Sequence, residues 1–507
     1  MSLGAALSIA SSQIGNLNAQ IALVSQNIAN ATTPGYAVED VAQHSLTAGG
    51  IGLGAANGAV QRAVDAQGQA AVLAQNADVA SLQTRQAALA QIDAAQGAVG
   101  SGTDLGSLLG AMGNAFSALA VDPSNQTQQA RVVAAASALA GQINSVGSAI
   151  ASTRQAAQDA IGSGVASLNT TLATLGTLSD QIVQGRAAGL STADLENQRA
   201  AAMDRLSTLV AVKFHEQPNG DLLAITASGL NLPLHGTASP FSSAPANTAP
   251  GVYAPGGGLP GILLGGQDVT AQLTGGQLGG NITLRDATLP QMQANLDEFA
   301  YTLANRFDAQ GLTLFTDASG TVPAAAGPPA QAGYIGFAQA IQVNPSVAAS
   351  PALVRDGTHA VASGGGASAF TPNPPGGPAG FSDMITRVLQ YALGGQVASG
   401  VAQPPPAVSG LGPSGALSSG YAAPSDLTGL ATAVTGSQAQ ASEAVTQQLT
   451  TAQGVQTTLQ TAFAANTSVS IDAEMAKMVA LQNAYGANAR VLSAVQSMWS
   501  QLLQTVQ

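Results

Sequence analysis

Apolar side chains recur at helical spacing at both ends of this chain. Near the N-terminus they follow alternating steps of three and four residues, and near the C-terminus a seven-residue step with flanking columns that widen the stripe. Both patterns predict a helix with one apolar face, and the C-terminal helix would be about 55 Å long. The predicted interface residues are Leu3, Leu7, Ile14, Leu17, Ile21, Val24, Ile28, Ile471, Met475, Met478, Tyr485, Leu492, Trp499, Leu503 and Val506.

A helix with one apolar stripe needs a partner that covers the stripe. The simplest partner for each chain end is the other end, or the same ends of neighbouring copies. We therefore expect a subunit of something built from copies. From the pattern alone, an ordinary core helix within one molecule is an equally good interpretation.

The middle of the chain changes character several times. Ala-rich helical patterns give way to an apparent hairpin around Asn219-Gly220, and breakers such as Pro404-Pro405-Pro406 follow later. We predict a mainly α fold with β insertions: terminal helices paired as a coiled coil, an elongated helical-bundle body, a small β domain and a loop-rich middle. The expected divisions are 1–60 for the first half of an assembly segment, 61–210 for a helical rod, 211–284 for a small β domain, 285–310 for a helix returning to the rod, 311–420 for a variable loop-rich surface domain, 421–467 for another rod helix and 468–507 for the second half of the assembly segment.

Composition excludes several classes of function. The chain has 507 residues, of which only 8% are charged, and its net charge of -12 argues against binding to nucleic acid or to an anionic membrane. It contains no cysteine, which removes disulfides and thiolate chemistry. Neither a cleaved signal peptide nor a membrane span is expected.

Enzyme motifs are missing from the sequence. The histidines His44, His215, His235 and His359 are scattered and lack metal-site spacing. The glycines of Gly50–Gly54 follow no strong strand and are accompanied by no phosphate-binding lysine. We expect no catalytic, cofactor-binding or metal-binding residues and no enzymatic activity.

Two motifs lie at the inner ends of the apolar stripes, and together they resemble a known family. The first is similar to the N-terminal signature of bacterial flagellar rod, hook and hook-associated proteins, and the second to the C-terminal signature of the hook-associated protein 1 (FlgK) family. Gln26 and Leu481 depart from the usual residues, and hook proteins usually have Gln where this chain has Arg490. The residues that carry the resemblance are Asn27, Ile28, Ala29, Asn30, Thr33, Pro34, Gly35, Tyr36, Glu474, Gln482, Tyr485, Asn488 and Arg490.

The resemblance implies a structural protein of the bacterial flagellum. Members of this family leave the cell unfolded through the flagellar type III channel, without a cleaved signal, and form a ring of copies that joins hook to filament. The implied partners are further copies of the chain, the hook protein below, the second hook-associated protein above and an export chaperone; the implied location is extracellular. We expect the terminal helices to become fully ordered only on assembly, because isolated amphipathic helices are marginal in water.

Two alternatives stay open at this point. One is a secreted adhesin or carbohydrate-active protein with a helical stalk, whose active part would be residues 311–420. The other is a different axial protein of the rod and hook family.

Overall fold

The computed structural model describes residues 3–33, 35–48, 51–98, 100–236, 239–363 and 366–505. It is mainly helical, with short strands inserted, as predicted. Pro34 and Val506, and the side chain of Leu3, lie outside what it describes. The helices are α1 (Leu3–Ala29), α2 (Ala66–Gln96), α3 (Leu105–Val121), α4 (Gln126–Ala187), α5 (Ala193–Leu209), α6 (Gly276–Thr283), α7 (Leu289–Asp308), α8 (Phe337–Ala340), α9 (Pro345–Ala349), α10 (Leu353–Asp356), α11 (Asp383–Arg387), α12 (Leu427–Thr467) and α13 (Ile471–Thr505).

The strands are short except for the first two. β1 and β2 form a long antiparallel hairpin that lies along α1. The remaining strands pair locally in sheets of two or three, all antiparallel. The strands are β1 (Glu39–Ala48), β2 (Ile51–Arg62), β3 (Val212–Glu216), β4 (Leu222–Thr226), β5 (Asn231–Leu232), β6 (Phe241–Ser243), β7 (Ile262–Leu264), β8 (Gln267–Asp268), β9 (Phe315–Thr316), β10 (Gln342–Val343), β11 (Gln396–Ala398), β12 (Val401–Ala402), β13 (Ser409–Leu411) and β14 (Leu417–Ser418).

Helix α4 is the spine of the body. Its apolar stripe spans two hydrophobic cores: the first half packs with α3, α7 and the start of α12, and the second half with α5 and the sheets of β3–β8. Side-chain caps fix where several body helices begin. Asp104 accepts from the backbone N–H of Ser107, and Asn125 accepts from those of Thr127 and Gln128.

Helix α4 is also, within the described residues, the one helix long and apolar enough to cross a membrane. Its apolar side chains are buried against the rest of the body, and the helix carries five charged residues, including Arg154 and Asp180. A core helix of a folded body meets the same criteria, and packing explains this one fully.

The turn at Asn219-Gly220 connects β3 to β4, where the sequence predicts a hairpin. Gly220 has a φ of +93°, and a Cβ at this position would meet Arg186 and Ile182 within about 3 Å. One boundary needs correction. Residues 276–283, expected to be β structure, form helix α6, which packs between α2 and α4; its three glycines concealed the helical pattern.

Residues 311–420 also differ from expectation. The segment is loop-rich, but it is not a separate surface structure, because its apolar side chains join the core formed by α3, α4 and α7. The reason is that single buried residues on irregular backbone leave no period in the sequence. The buried members include Leu312, Leu314, Phe315, Phe337, Ile341, Val347, Val354, Phe370, Met384, Ile385 and Val388.

Candidate functional site

The two ends of the chain pack against each other. Helices α1 and α13 run antiparallel: Asn27 contacts Glu474, and closer to the N-terminus Gln20 lies beside Leu481. The strands β1 and β2 cover another face of α1, where Asn16 donates to the carbonyl of Ala55. The terminal helices therefore pair within one molecule, which is one of the two arrangements that the stripes allow.

The inner face of this pair takes only part of the predicted stripe. Leu17 and Val24 of α1 are buried, and on α13 Glu474 and Val495 are buried. Other members of the stripe, among them Ile21, are only half-buried. The half-buried ones are Leu7, Ile14, Ile21, Ile28, Met478 and Leu492.

The outer face of α13 is apolar and exposed. Trp499, the only tryptophan of the chain, has 46% of its surface exposed, and Tyr485 has 38%. Ile471, Met475 and Leu503 are about half exposed. Five residues of the predicted C-terminal stripe thus keep 38% to 53% of their surface exposed, so the pairing within one molecule leaves part of the apolar surface of α13 uncovered.

Asn27 joins the two family motifs in a single hydrogen-bonded cluster. Its Nδ2 donates to the backbone carbonyl of Glu39 at 2.8 Å and to the carboxylate of Glu474 at 3.1 Å. Its Oδ1 accepts from the hydroxyl of Tyr36 at 2.9 Å and from the backbone N–H of Glu39 at 3.0 Å. Asn27 is fully buried and uses its whole hydrogen-bonding capacity. Lys477 pairs with the other oxygen of Glu474 at 3.0 Å.

A strap formed by residues 35–39 continues from this cluster to the body. Gly35, with a φ of +79°, turns the chain after α1. Asn197 of α5 donates from Nδ2 to the Glu39 carboxylate at 2.8 Å and accepts from the backbone N–H of Ala37 at 3.2 Å. The backbone N–H of Val38 donates to the carbonyl of Thr467 at the end of α12. The strap is therefore held by α1, α5 and α12 at once.

Burial shifts two acid–base equilibria in the strap. Removal from water and the nearby Asp194 raise the pKa of Glu39 to about 7, although the hydrogen bond from Asn197 opposes the shift. Burial, followed by the negative charges of Glu39 and Asp194, also raises the pKa of the Tyr36 phenol. Tyr36 thus stays a neutral hydrogen-bond donor at all physiological pH values.

Below the strap, five charged side chains form a chain of ion pairs. Arg62 of β2 lies 3.5 Å from Glu196, which also binds Arg186 at 2.8 Å. Arg186 binds Glu216, and Glu216 binds the buried Arg199 at 2.6 Å. This network connects the hairpin β1–β2 to α4, α5 and β3, so the root of the terminal segment is fixed to the body electrostatically.

The remaining motif residues do not form a second cluster. Gln482 and Arg490 are exposed, and Asn488 donates to the carbonyl of Ala484 within its own helix. At the other motif, Asn30 donates to the carbonyl of Gln26, and Thr33 donates to Asn30. These contacts shape the end of α1 and the following turn.

Residues outside the motifs complete the site. Sequence reasoning missed Glu39, Asn197 and the ion-pair network. A carboxylate at the first residue of a strand gives no distinct signal, and its partner lies 158 positions away. Elsewhere in the described chain, no three His, Asp or Glu side chains are placed to hold a metal ion.

Three comparisons bear on this arrangement. A model of the flagellar hook-associated protein FlgK helical domain matches residues 89–321, and a model of the flagellar basal body rod FlgEFG protein C-terminal region matches residues 460–505. Flagellar hook-associated protein 1 of Salmonella typhimurium is 30% identical over 309 residues. Over these regions the chain is similar to flagellar hook-associated protein 1.

The extent of the similarity is partial. The Salmonella alignment covers 58% of this chain and 54% of the relative. The hook-associated protein 1 of Escherichia coli is 28% identical over 331 residues, covering 62% of this chain and 58% of that protein. The chain therefore matches somewhat more than half the length of these family members. A solved flagellar hook junction protein FlgK from Burkholderia pseudomallei aligns with a TM-score of 0.40 at 23% identity, over 52% of this chain and 47% of that one.

Proposed function

We propose that this chain is an extracellular structural subunit of the bacterial flagellum, forming a ring of copies at the junction between hook and filament. Its neighbours would be the hook protein below and the second hook-associated protein above. It would reach this place through the flagellar type III apparatus with the help of an export chaperone. The similarity to flagellar hook-associated protein 1 and to the FlgK helical domain supports the location.

The exposed apolar face of α13 is the observation that carries the assembly step. In one molecule this face, with Met475, Tyr485 and Trp499, is only partly covered. Because these side chains are about half exposed already, burying the remainder contributes roughly 1 kcal/mol each. One such interface between two copies barely offsets the several kcal/mol of rotational and translational freedom that the copies lose on association. A closed ring, in which every copy is covered by neighbours, provides the contact repeatedly.

The charge distribution supports close approach of copies. The first 38 residues contain no charged side chain, and after Lys477 the chain has only Arg490. The net charge of -12 is therefore carried by the body and the junction, and the paired terminal helices are almost neutral. Neutral helices can pack side by side without the repulsion that like charges would produce.

The test is electron microscopy of cells that lack the chain, complemented with either the full chain or a variant without residues 471–507. The full chain should restore filaments, whereas the truncated chain should leave bare hooks and release flagellin into the medium. Circular dichroism of the purified truncated protein should retain the helical signal of the body. Filaments of normal length on the truncated strain would refute the proposal.

A further inference from the structure

The junction between the paired terminal helices and the body contains an open cavity. On one side of the strap of residues 35–39 lies a cavity of about 660 Å³, open to solvent, whose other walls are formed by α2, α5 and α12. Its lining includes Val72, Ala201 and Phe463. Few apolar contacts therefore hold the helical pair on the body from this side.

On its other side the strap is held by polar contacts that converge on one carboxyl group. The Glu39 side chain is buried, with 3% of its surface exposed, and Asn197 is the hydrogen-bond partner that ties it to α5. Its backbone is held by Asn27 of α1. The charge state of this one group consequently affects both the docking of the strap on the body and its attachment to the helical pair.

The charged groups around Glu39 come from every neighbouring element. Helix α5 contributes Asp194 and Glu196, which disfavour a second negative charge, and β2 contributes Arg62, which favours it but already pairs with Glu196. On the side of the terminal pair lie Glu474, whose charge is balanced by Lys477, together with Asp40 and Tyr36. Acidic groups outnumber the cations. An ionised Glu39 is therefore destabilised both by desolvation and by repulsion from the neighbouring carboxylates.

We propose that the strap of residues 35–39 is a pH-dependent hinge: a neutral Glu39 keeps the terminal helical pair docked on the body, and an ionised Glu39 loosens it. The raised pKa of Glu39, about 7, places this change near neutral pH. The cavity gives the strap room to move, and the turn at Gly35 provides the conformational freedom. The hinge is a property of the single chain and does not depend on assembly.

The absence of cysteine makes the experiment direct. Spin labels on Thr457→Cys in α12 and Gln482→Cys in α13, both exposed positions, report the distance between body and terminal pair by pulsed electron paramagnetic resonance. A second pair, Thr174→Cys and Thr457→Cys, lies within the body and serves as the control. We expect the 457–482 distance distribution to be narrow at about pH 6 and clearly broader at about pH 8.

Two variants separate the hinge from general loosening. Glu39→Gln keeps the shape of the side chain but cannot ionise, so its distribution should stay narrow at both pH values. Asn197→Ala removes the amide that holds Glu39, so its distribution should be broad at both. The proposal is overturned if the wild-type distribution does not respond to pH, if Glu39→Gln responds as strongly as wild type, or if the control pair within the body broadens as well.

Discussion

The side-chain amide of Asn27 donates to the carboxylate of Glu474 across 3.1 Å, although the two residues are 447 positions apart in the chain. Each belongs to one of the two motifs that relate this chain to flagellar axial proteins. The same amide also pairs with both backbone groups of Glu39. One buried side chain thus sets the alignment of α1, β1 and α13 at the point where they leave the body.

Asn27→Asp should destabilise this alignment. Aspartate cannot donate to Glu474 or to the Glu39 carbonyl, and it places a negative charge beside another buried carboxylate. The expected cost is about 2–4 kcal/mol, since a buried hydrogen-bonded cluster is left unsatisfied. Hydrogen exchange of the purified chain should show faster exchange in residues 471–505 with little change in α4.

The matched control is Asn18→Asp on the same helix. Asn18 is exposed, so the same chemical change there should leave exchange in α13 unaltered. If both variants exchange alike, charge on α1 rather than the Asn27 cluster would be responsible.

The ionisation of Glu39 makes the stability of the chain depend on pH in an unusual direction. Its folded pKa of about 7 lies above the ordinary value of 4.5, so the folded chain holds a proton that the unfolded chain releases between these values. Stability contributed by the neutral form is complete below about pH 4.5, declines as the pH rises, and is lost above about pH 7. The contribution is on the order of 3 kcal/mol.

Glu39→Gln should remove this dependence. The melting temperature of the variant should exceed that of wild type by a margin that grows between about pH 5 and pH 8. Glu443→Gln, at an exposed carboxylate of α12, provides the control and should give a constant difference. A margin that shrinks with rising pH would contradict the assigned direction.

The outward face of α13 leads to a prediction about assembly. Trp499→Asp should leave the monomer folded, because the indole is 46% exposed and is not a member of the hydrophobic cores. It should nevertheless prevent incorporation at the hook tip. Motility on soft agar and electron microscopy of the hooks are the measurements. Val121→Asp, at an even more exposed apolar residue at the end of α3, should swim normally. Equal loss of motility in both variants would mean that a new surface charge impairs the protein in general, and that the α13 face has no specific role in assembly.

The sequence predicts the long helices and the β3–β4 hairpin, because the helices have a regular hydrophobic period and the hairpin has an Asn-Gly turn. It also identifies Asn27, Tyr36 and Glu474 through their motifs, although not their contact. Which face of α13 meets α1 could not be predicted, since two overlapping stripes of similar apolarity compete and only the packing of Leu17 and Val24 decides between them. The Glu39–Asn197 contact depends on how the body folds, and no local pattern encodes it.

The ion-pair network at the root of the terminal segment should contribute measurably to stability through Arg199. This guanidinium is buried and donates to the carbonyl of Gly220 at 2.6 Å as well as to Glu216. Arg199→Met fills similar volume but leaves the carbonyl of the hairpin turn without its donor. We expect a loss of about 2–3 kcal/mol in urea unfolding. Arg131→Met on the exposed face of α4 should change stability by less than about 0.5 kcal/mol.

The loop-rich segment should be less tolerant of change than its composition indicates. The sequence alone indicates a variable loop-rich surface domain over residues 311–420, but Phe370 within it is buried in the main core. Its ring packs near Phe381 at 6.3 Å between centroids and lies 5.2 Å from the guanidinium carbon of Arg387. Phe370→Ala should therefore cost about 3–5 kcal/mol, the usual range for a deleted core aromatic.

The comparison that isolates this effect is Pro375→Ala in the same segment, five residues away and exposed. It should unfold in urea at the same midpoint as wild type, whereas Phe370→Ala should unfold earlier with an unchanged slope. Arg387 gives a second check. In Phe370→Ala its guanidinium would lose the ring on which it stacks but would keep its hydrogen bond to the carbonyl of Ser368. If Phe370→Ala proved as stable as Pro375→Ala, the stretch around Phe370 would be a removable surface loop after all.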